Sequence, residues 1–188
     1  MREPYWWYVI YVRSNTEHRA VEALACAYEK SALPYSVDPF CPESEQYFRG
    51  DKSRAAGKRY KRRPLFPCYI FVETDMPAAE FRKYFYCATN RSSDIIRLLC
   101  YGNTDEIALR ADERRRLEYL LKGKRCLEHS EGYIVGDKIT VTGGPLVGME
   151  GCIKKINRHN RTAEIETELF NQKQTIKVAL EIVSKTDG

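Results

Sequence analysis

No two of the seven cysteines stand two residues apart, and the three histidines, His18, His129 and His159, are scattered along the chain. A zinc site or a redox pair needs ligands grouped at short spacings, so both are excluded as readings. The odd, dispersed thiol set also argues against a disulfide framework and fits a reducing cytosol. Buried, inert side chains are the reading for these cysteines, because no local signature pairs a thiol with a histidine. Neither glycine pattern that cradles phosphates, the P-loop or the dinucleotide turn, occurs. The longest apolar run falls far short of the ~20 residues needed to cross a bilayer. No leading segment has the charge and apolar pattern of a signal peptide. The expectation is a cytoplasmic protein that is not an enzyme, needs no metal or cofactor and does not engage a membrane.

What is present is uneven. The chain has 188 residues, 43% of them hydrophobic, and a formal net charge of only +5. So small an excess names no partner; its distribution does. From Arg49 to Arg63 eight Lys/Arg face one acid, Asp51, with Gly50 and Gly57 and little apolar content. That run reads as a protruding loop or hairpin. Arg49, Lys52, Arg54, Lys58, Arg59, Lys61 and Arg62 are its candidate nucleic-acid contacts, since each phosphate neutralised adds sequence-independent, salt-sensitive affinity. Tyr47, Phe48 and Tyr60 are candidate stacking surfaces for bases.

Periodicity divides the chain in two. Trp7–Val12 is a strand by its β-branched and aromatic content. Ala20, Ala23, Leu24, Ala27 and Tyr28 recur at helical spacing from Glu17 to about Lys30, behind Ser14, Asn15 and Thr16 as capping candidates. Strands follow at 35–41, 69–73 and Ile95–Cys100, with helices from Pro77 to about Cys87 and over Ala111–Leu121. Strands interspersed with helices around a small sheet make an α+β domain over 1–121. The polar stretch 122–131 reads as a linker. Beyond it, over 132–188, Lys138–Thr142, Gly151–Ile156, Ala163–Leu169 and Gln174–Val178 alternate at period two, as in a small β-barrel. Gly143-Gly144-Pro145 supplies a turn needing positive φ, and Gly151 is expected where a tight barrel bends and no side chain fits.

The stretch GDKITVTGGPLVGMEGCIKKI, 136–156, resembles the KOW motif. WWYVIYVRSN and RRPLFPCYIFVETD, each followed by a helix, resemble the N-terminal domain of the NusG family of transcription factors. The likeness runs over about residues 6–185. PLFP-Y-FVE-D looks more like the specialised paralogues RfaH and LoaP, and GPLVGMEG with its following basic residues looks most like LoaP.

The resemblance implies a transcription elongation and antitermination factor, acting as a monomer. Its N-terminal domain would bind the clamp helices of RNA polymerase and its KOW domain a nascent RNA hairpin, with DNA of the elongation complex a further partner. It places the polymerase contact at Tyr11, Phe66, Pro67, Tyr69, Phe71 and Leu117. Tyr69, Phe71 and Glu73 share one face of their strand and Ile70 and Val72 the other, so only one set can meet the domain's own helices. Arg82, Lys83 and Tyr84 stand where RfaH-like proteins carry a His-Thr-Thr element. Phe170-Asn171-Gln172 stands where housekeeping NusG carries Phe-Gly-Arg. Lys154, Lys155, Arg158, His159 and Arg161 cluster on one strand and its turn, joined by Lys138, Lys173 and Lys177, as a cationic face for RNA. Consistent period-two alternation with several glycines and a proline implies a permanent barrel, not one that refolds as helices. The competing reading is a ribosome- or RNA-associated structural protein that contains a KOW barrel.

Overall fold

Strand β1 (Trp6–Val12) is β-branched and aromatic throughout, and it takes the centre of a four-stranded sheet. The computed structural model describes residues 5–47, 60–89 and 92–186. Contacts divide the chain into two compact units, one of 1–42 with 66–116 and one of 43–65 with 117–188.

In the first unit, β1 is flanked by β5 (Tyr69–Thr74) and β6 (Ile95–Leu98), and β2 (Val37–Phe40) lies outside β5, all antiparallel. Helices α1 (Glu17–Glu29) and α2 (Ala78–Thr89) cover one face. Period-two alternation sends Tyr8, Ile10 and Val12 of β1, with Ile70 and Val72 of β5, into a core with Ala20, Leu24, Tyr28, Phe81 and Phe85 from those helices. The Tyr8 ring stacks on Phe81 at 3.9 Å, and its hydroxyl donates to the Met76 carbonyl at 2.8 Å. Burial raises the Tyr8 phenol pKa far above its ordinary value, so the group remains a donor. The expected helix over 111–121 is α3 (Ala111–Leu121), which carries Asp112 and Glu113 in its first turn, where the helix dipole favours acids.

The second unit is built on a five-stranded sheet ordered β10-β11-β12-β8-β9. Its strands are β8 (Ser130–Val135), β9 (Lys138–Gly143), β10 (Ile153–Asn157), β11 (Thr162–Leu169) and β12 (Gln172–Thr186). The ladders leave β9 and β10 as the two edges, so the hydrogen-bonded sheet is open. The sequence pattern stops β12 at Val178, but the apolar Ala179 and Leu180 are also buried. The strand runs on to pair in parallel with β8. Ile165, Leu169, Ile176 and Val178 alternate into the core with Val141 and Leu146.

A smaller sheet, ordered β4-β3-β7, belongs to the same unit: β3 (Glu43–Tyr47), β4 (Tyr60–Pro64) and β7 (Cys126–Leu127). The polar 122–131 stretch, expected to be a linker, therefore carries β7 and the first residues of β8. Its one strongly apolar residue, Leu127, is buried, and the Glu43 amide donates to the Arg125 carbonyl at 2.9 Å.

Two expectations about glycine and cysteine are corrected. Gly151 lies in a 3-10 turn, Glu150–Cys152, ahead of β10, and a Cβ there would meet nothing within 4 Å. The close approach is at Gly144, which has φ +90° and where a Cβ would lie 2.5 Å from the His129 carbonyl oxygen. Of the seven thiols only Cys41 is buried; Cys26, Cys87 and Cys100 are exposed, and the other three are half-buried. Dispersal along the sequence shows that the thiols are not grouped, but it says nothing about depth.

Candidate polymerase and nucleic-acid interfaces

On the face of the first sheet opposite α1 and α2, the alternation that buries Tyr8 and Ile70 under those helices turns Trp7, Tyr11, Tyr69 and Phe71 the other way. Trp7 meets Phe40 edge-on at 5.4 Å and Phe71 at 6.1 Å, and Phe66 lies 5.7 Å from Phe71. Tyr11 and Tyr69 are register partners with rings 5.4 Å apart, and the Arg97 guanidinium stands over Tyr11 at 5.9 Å. Phe66 and Phe71 are buried, Tyr11 and Tyr69 half-buried, and Pro67 exposed. The face therefore has a buried aromatic floor and an accessible edge. Leu117 is buried and falls in the second unit. Trp7 and Phe40 were missed as members; Trp7 was legible, because it has the same parity on β1 as Tyr11.

The edge is formed by a tight turn. The Tyr69 amide donates to the Phe66 carbonyl at 3.1 Å, Pro67 takes the first central position and Cys68 the second, with φ +69°. That is the geometry of a type II turn, which usually has glycine where Cys68 stands. Cys68 is held there from both sides. Its amide donates to the buried Glu17 carboxylate at 2.8 Å, and its carbonyl accepts from the Val12 amide at 2.8 Å. The fixed φ of Pro67 and these two bonds present the ring of Pro67 outward and that of Phe66 inward.

On α2, Arg82 clamps Asp105, with 2.5 Å to the carboxylate and 2.7 Å to the backbone carbonyl. Tyr84 packs inward, its ring 5.0 Å from Tyr28 and its hydroxyl 3.3 Å from the Ala27 carbonyl, which accepts. Only Lys83 of the three is exposed.

The cationic candidates of the second unit behave differently from one another. Arg49, Lys52, Arg54, Lys58 and Arg59, like Phe48, lie outside the described residues. Lys61 and Arg62 are exposed on β4, and Lys138 is exposed on β9. Lys154, Lys155, Arg158 and His159 are exposed on β10 and its turn. Lys173 is exposed and pairs with Glu166 at 3.2 Å. Arg161 is turned back into the unit: its guanidinium lies 4.2 Å over the Tyr47 ring and 3.4 Å from Glu181. Tyr60, expected to be free for a base, instead stacks on the His129 ring at 4.4 Å and 12°. The Glu45 carboxylate accepts from the His129 amide at 3.0 Å and lies 3.0 Å from its Nδ1. The Phe170-Asn171 turn has positive φ at both residues, 54° and 58°, with Phe170 buried and Asn171 exposed. That is the twist-matching turn of a two-residue hairpin.

Register draws two exposed lysines and a half-buried carboxylate into one row. Lys155 of β10 pairs with Glu164 of β11, which pairs with Lys177 of β12. Beside that row, β3 is anchored by the fully buried Ser44, whose hydroxyl donates to the Lys177 carbonyl at 3.2 Å. Between them lies a cavity of about 410 Å³, lined by Gln46, Tyr47, Lys155, Asn157, Glu164 and Lys177 among others. Sequence reading did not find Gln46, Asn157 or Glu164, because the segments that meet here are more than a hundred residues apart.

A family model described as transcription termination factor NusG matches residues 5–118. The chain belongs to the NusG family. Within that family it is 25% identical over 179 residues to the transcription termination/antitermination protein NusG of Treponema pallidum, covering 93% of this chain and 95% of the relative. It is 20% identical over 185 residues to the protein of the same description from Borreliella burgdorferi, covering 95% and 97%. A solved structure, "Domain interaction in Thermotoga maritima NusG", superposes with a TM-score of 0.52 over 95% of this chain and 94% of that one, at 19% identity. That likeness is one of fold. Among the described residues, no helix is long and apolar enough to cross a membrane.

Proposed function

We propose that this NusG-family chain rides on RNA polymerase in the cytoplasm as a specialised elongation and antitermination factor, most like LoaP and RfaH. The first unit docks on the polymerase clamp helices, and the second, closing as a KOW barrel, takes a hairpin of nascent RNA. The observation that carries the first half is the aromatic face opposite α1 and α2, with Phe66 and Phe71 as a buried floor and Pro67, Tyr11 and Tyr69 at its accessible edge. An amphipathic helix docks by laying apolar anchors into such a surface, and aromatic residues give large contact area at low entropic cost. The second half rests on Lys154, Lys155 and Arg158, which stand exposed together on one strand and its turn. With both ends held, each contact raises the effective concentration of the other. With Arg82 and Tyr84 engaged inside their own unit, the element that replaces His-Thr-Thr offers Lys83 as its exposed group.

Purified clamp helices should be retained by the wild-type protein and released by Tyr69→Ala combined with Tyr11→Ala, with the circular dichroism unchanged. Wild-type protein that ignores both clamp helices and whole polymerase sinks the reading in favour of an RNA-associated structural protein.

A further inference from the structure

The cavity beside the Lys155–Glu164–Lys177 row lies between the inserted β3–β4 hairpin and the β10–β11 hairpin, and both belong to the second unit. From it we infer a binding site for one unpaired nucleotide of single-stranded RNA, an inference that rests on the RNA-binding reading of this unit. The site would let the protein grip a splayed-out base beside whatever paired element the outer cationic surface holds.

The lining supplies what a nucleotide needs and what a merely acidic ligand does not. At about 410 Å³ the cavity falls within the range of roughly 300–1,000 Å³ typical of small-ligand sites. Tyr47 gives it an aromatic wall. Arg161 lies over that ring at 4.2 Å and the Tyr60 ring meets it edge-on at 6.3 Å, so Tyr47 is held from within its own unit while it lines the cavity. A ring backed by a guanidinium is held in place before the base arrives, and base–aromatic stacking tolerates any base.

Lys155 and Lys177 stand on either side of Glu164 in the cross-strand row, and both ammonium groups can reach a phosphate. Glu164 cannot accept a phosphate. Its carboxylate can accept a hydrogen bond from a ribose 2′-hydroxyl, the group that separates RNA from DNA. Gln46 and Asn157 bring amides, which donate and accept at once and so suit the edge of a base. Outside the cavity, Lys154 and Arg158 continue the cationic path along the same strand and turn, as a polynucleotide requires and a free nucleotide does not. An acidic peptide would use the lysines and leave the ring and the amides idle.

The test is fluorescence anisotropy on the full chain, with an end-labelled single-stranded octauridine RNA, the same oligomer in DNA and a blunt RNA duplex as probes. The RNA single strand should bind most tightly. Tyr47→Ala should weaken it by about 5- to 150-fold, the range for loss of one stacked base, while Tyr47→Phe retains it. Should Tyr47→Ala disturb the fold, Lys155→Ala with Lys177→Ala tests the same site on exposed residues. That double variant should lower the slope of log affinity against log salt by about 1.4, two phosphate contacts on a single strand. The inference is overturned if a folded Tyr47→Ala variant, or, where that variant is disturbed, the double lysine variant, binds like wild type. It is likewise overturned if DNA or duplex binds as well as single-stranded RNA, or if polyglutamate competes in a Tyr47-dependent way. Clamp-helix retention is measured on the same samples. Tyr47-independent RNA binding with retention intact overturns the cavity assignment alone, whereas lost retention with Tyr47 dependence intact overturns the polymerase reading alone.

Discussion

The guanidinium of Arg161 lies 4.2 Å over the ring of Tyr47, joining residues 114 positions apart in sequence. The same guanidinium stands 3.4 Å from Glu181, so one side chain ties the β3–β4 hairpin to the end of the β10–β11 turn and to β12. Arg161 itself has φ +51°, a conformation that costs a residue with a Cβ. Its side-chain contacts offset that cost.

Arg161→Ala should therefore destabilise the second unit by about 1–2 kcal/mol, the sum of a partly desolvated cation–π contact and a modest ion pair. Arg161→Lys keeps the charge and loses the planar stack, so it should recover less than half of that. Thermal unfolding followed by circular dichroism reads both. Two variants indistinguishable from wild type would show that the stack is not a structural tie.

The Asp94 carboxylate is held below its ordinary pKa, first by the hydrogen bonds from Arg19 at 2.6 and 2.7 Å, then by the charges of Arg19 and Arg13, against the opposing effect of burial. A carboxylate with a depressed folded-state pKa contributes stability above its unfolded value, about pH 4. That contribution is lost as pH falls through the folded value. Wild-type stability should decline below about pH 4 in part through this group, and Asp94→Asn should remove that part of the acid limb while lowering stability at pH 7. Urea midpoints measured from pH 2 to 7 decide it. An acid limb of unchanged depth in the variant would contradict the linkage.

Gly144 and Gly151 should respond oppositely to alanine. At Gly144 both the positive φ and the 2.5 Å approach to the His129 carbonyl oxygen oppose a Cβ, so Gly144→Ala should cost about 2–4 kcal/mol. At Gly151 there is open space and no positive φ, and Gly151→Ala should gain about 0.5 kcal/mol by restricting the unfolded chain. Denaturant titration of the two proteins side by side is the measurement.

The turn at Pro67-Cys68 yields a fourth prediction. Cys68→Gly should relieve about 1 kcal/mol of left-handed strain at φ +69°, less the entropy that glycine brings to the unfolded state, for a small net gain. Glu17→Ala should do the reverse, because it strips the Cys68 amide of its buried acceptor at 2.8 Å and costs about 1–3 kcal/mol. If the turn sets the docking edge, Glu17→Ala should also weaken clamp-helix retention. Retention equal to wild type would separate the turn from the interface.

Much of this was legible in the residues. The strands at Trp6–Val12 and Tyr69–Thr74 and the helices α1 and α3 fell where alternation and helical spacing put them. The division of β5 into an Ile70/Val72 face and a Tyr69/Phe71 face followed from period two alone, whereas that α1 and α2 cover the first of these is seen only in the packing. Local chemistry did not reveal what long-range pairing decides. Polarity made 122–131 look like a linker, yet two residues of it extend a sheet begun at Glu43. Charge made Arg161 look like a phosphate contact, but its planar guanidinium found an aromatic ring instead. Tyr60 looked available for a base until His129, far along the chain, stacked on it.

The membership of residues 43–65 in the second unit bears on how the protein is made and how it can be cut. The chain leaves the first unit after Pro42, returns at Phe66 and leaves again after Arg116, so each unit is assembled from two separated stretches. During synthesis Ser44 must wait for the strand that carries Lys177, which follows the other described strands in sequence. A C-terminal fragment starting anywhere after residue 65 would lack Ser44, Glu45, Tyr47 and Tyr60, leaving Arg161 and His129 without their aromatic neighbours. No single peptide bond separates this protein into its two halves.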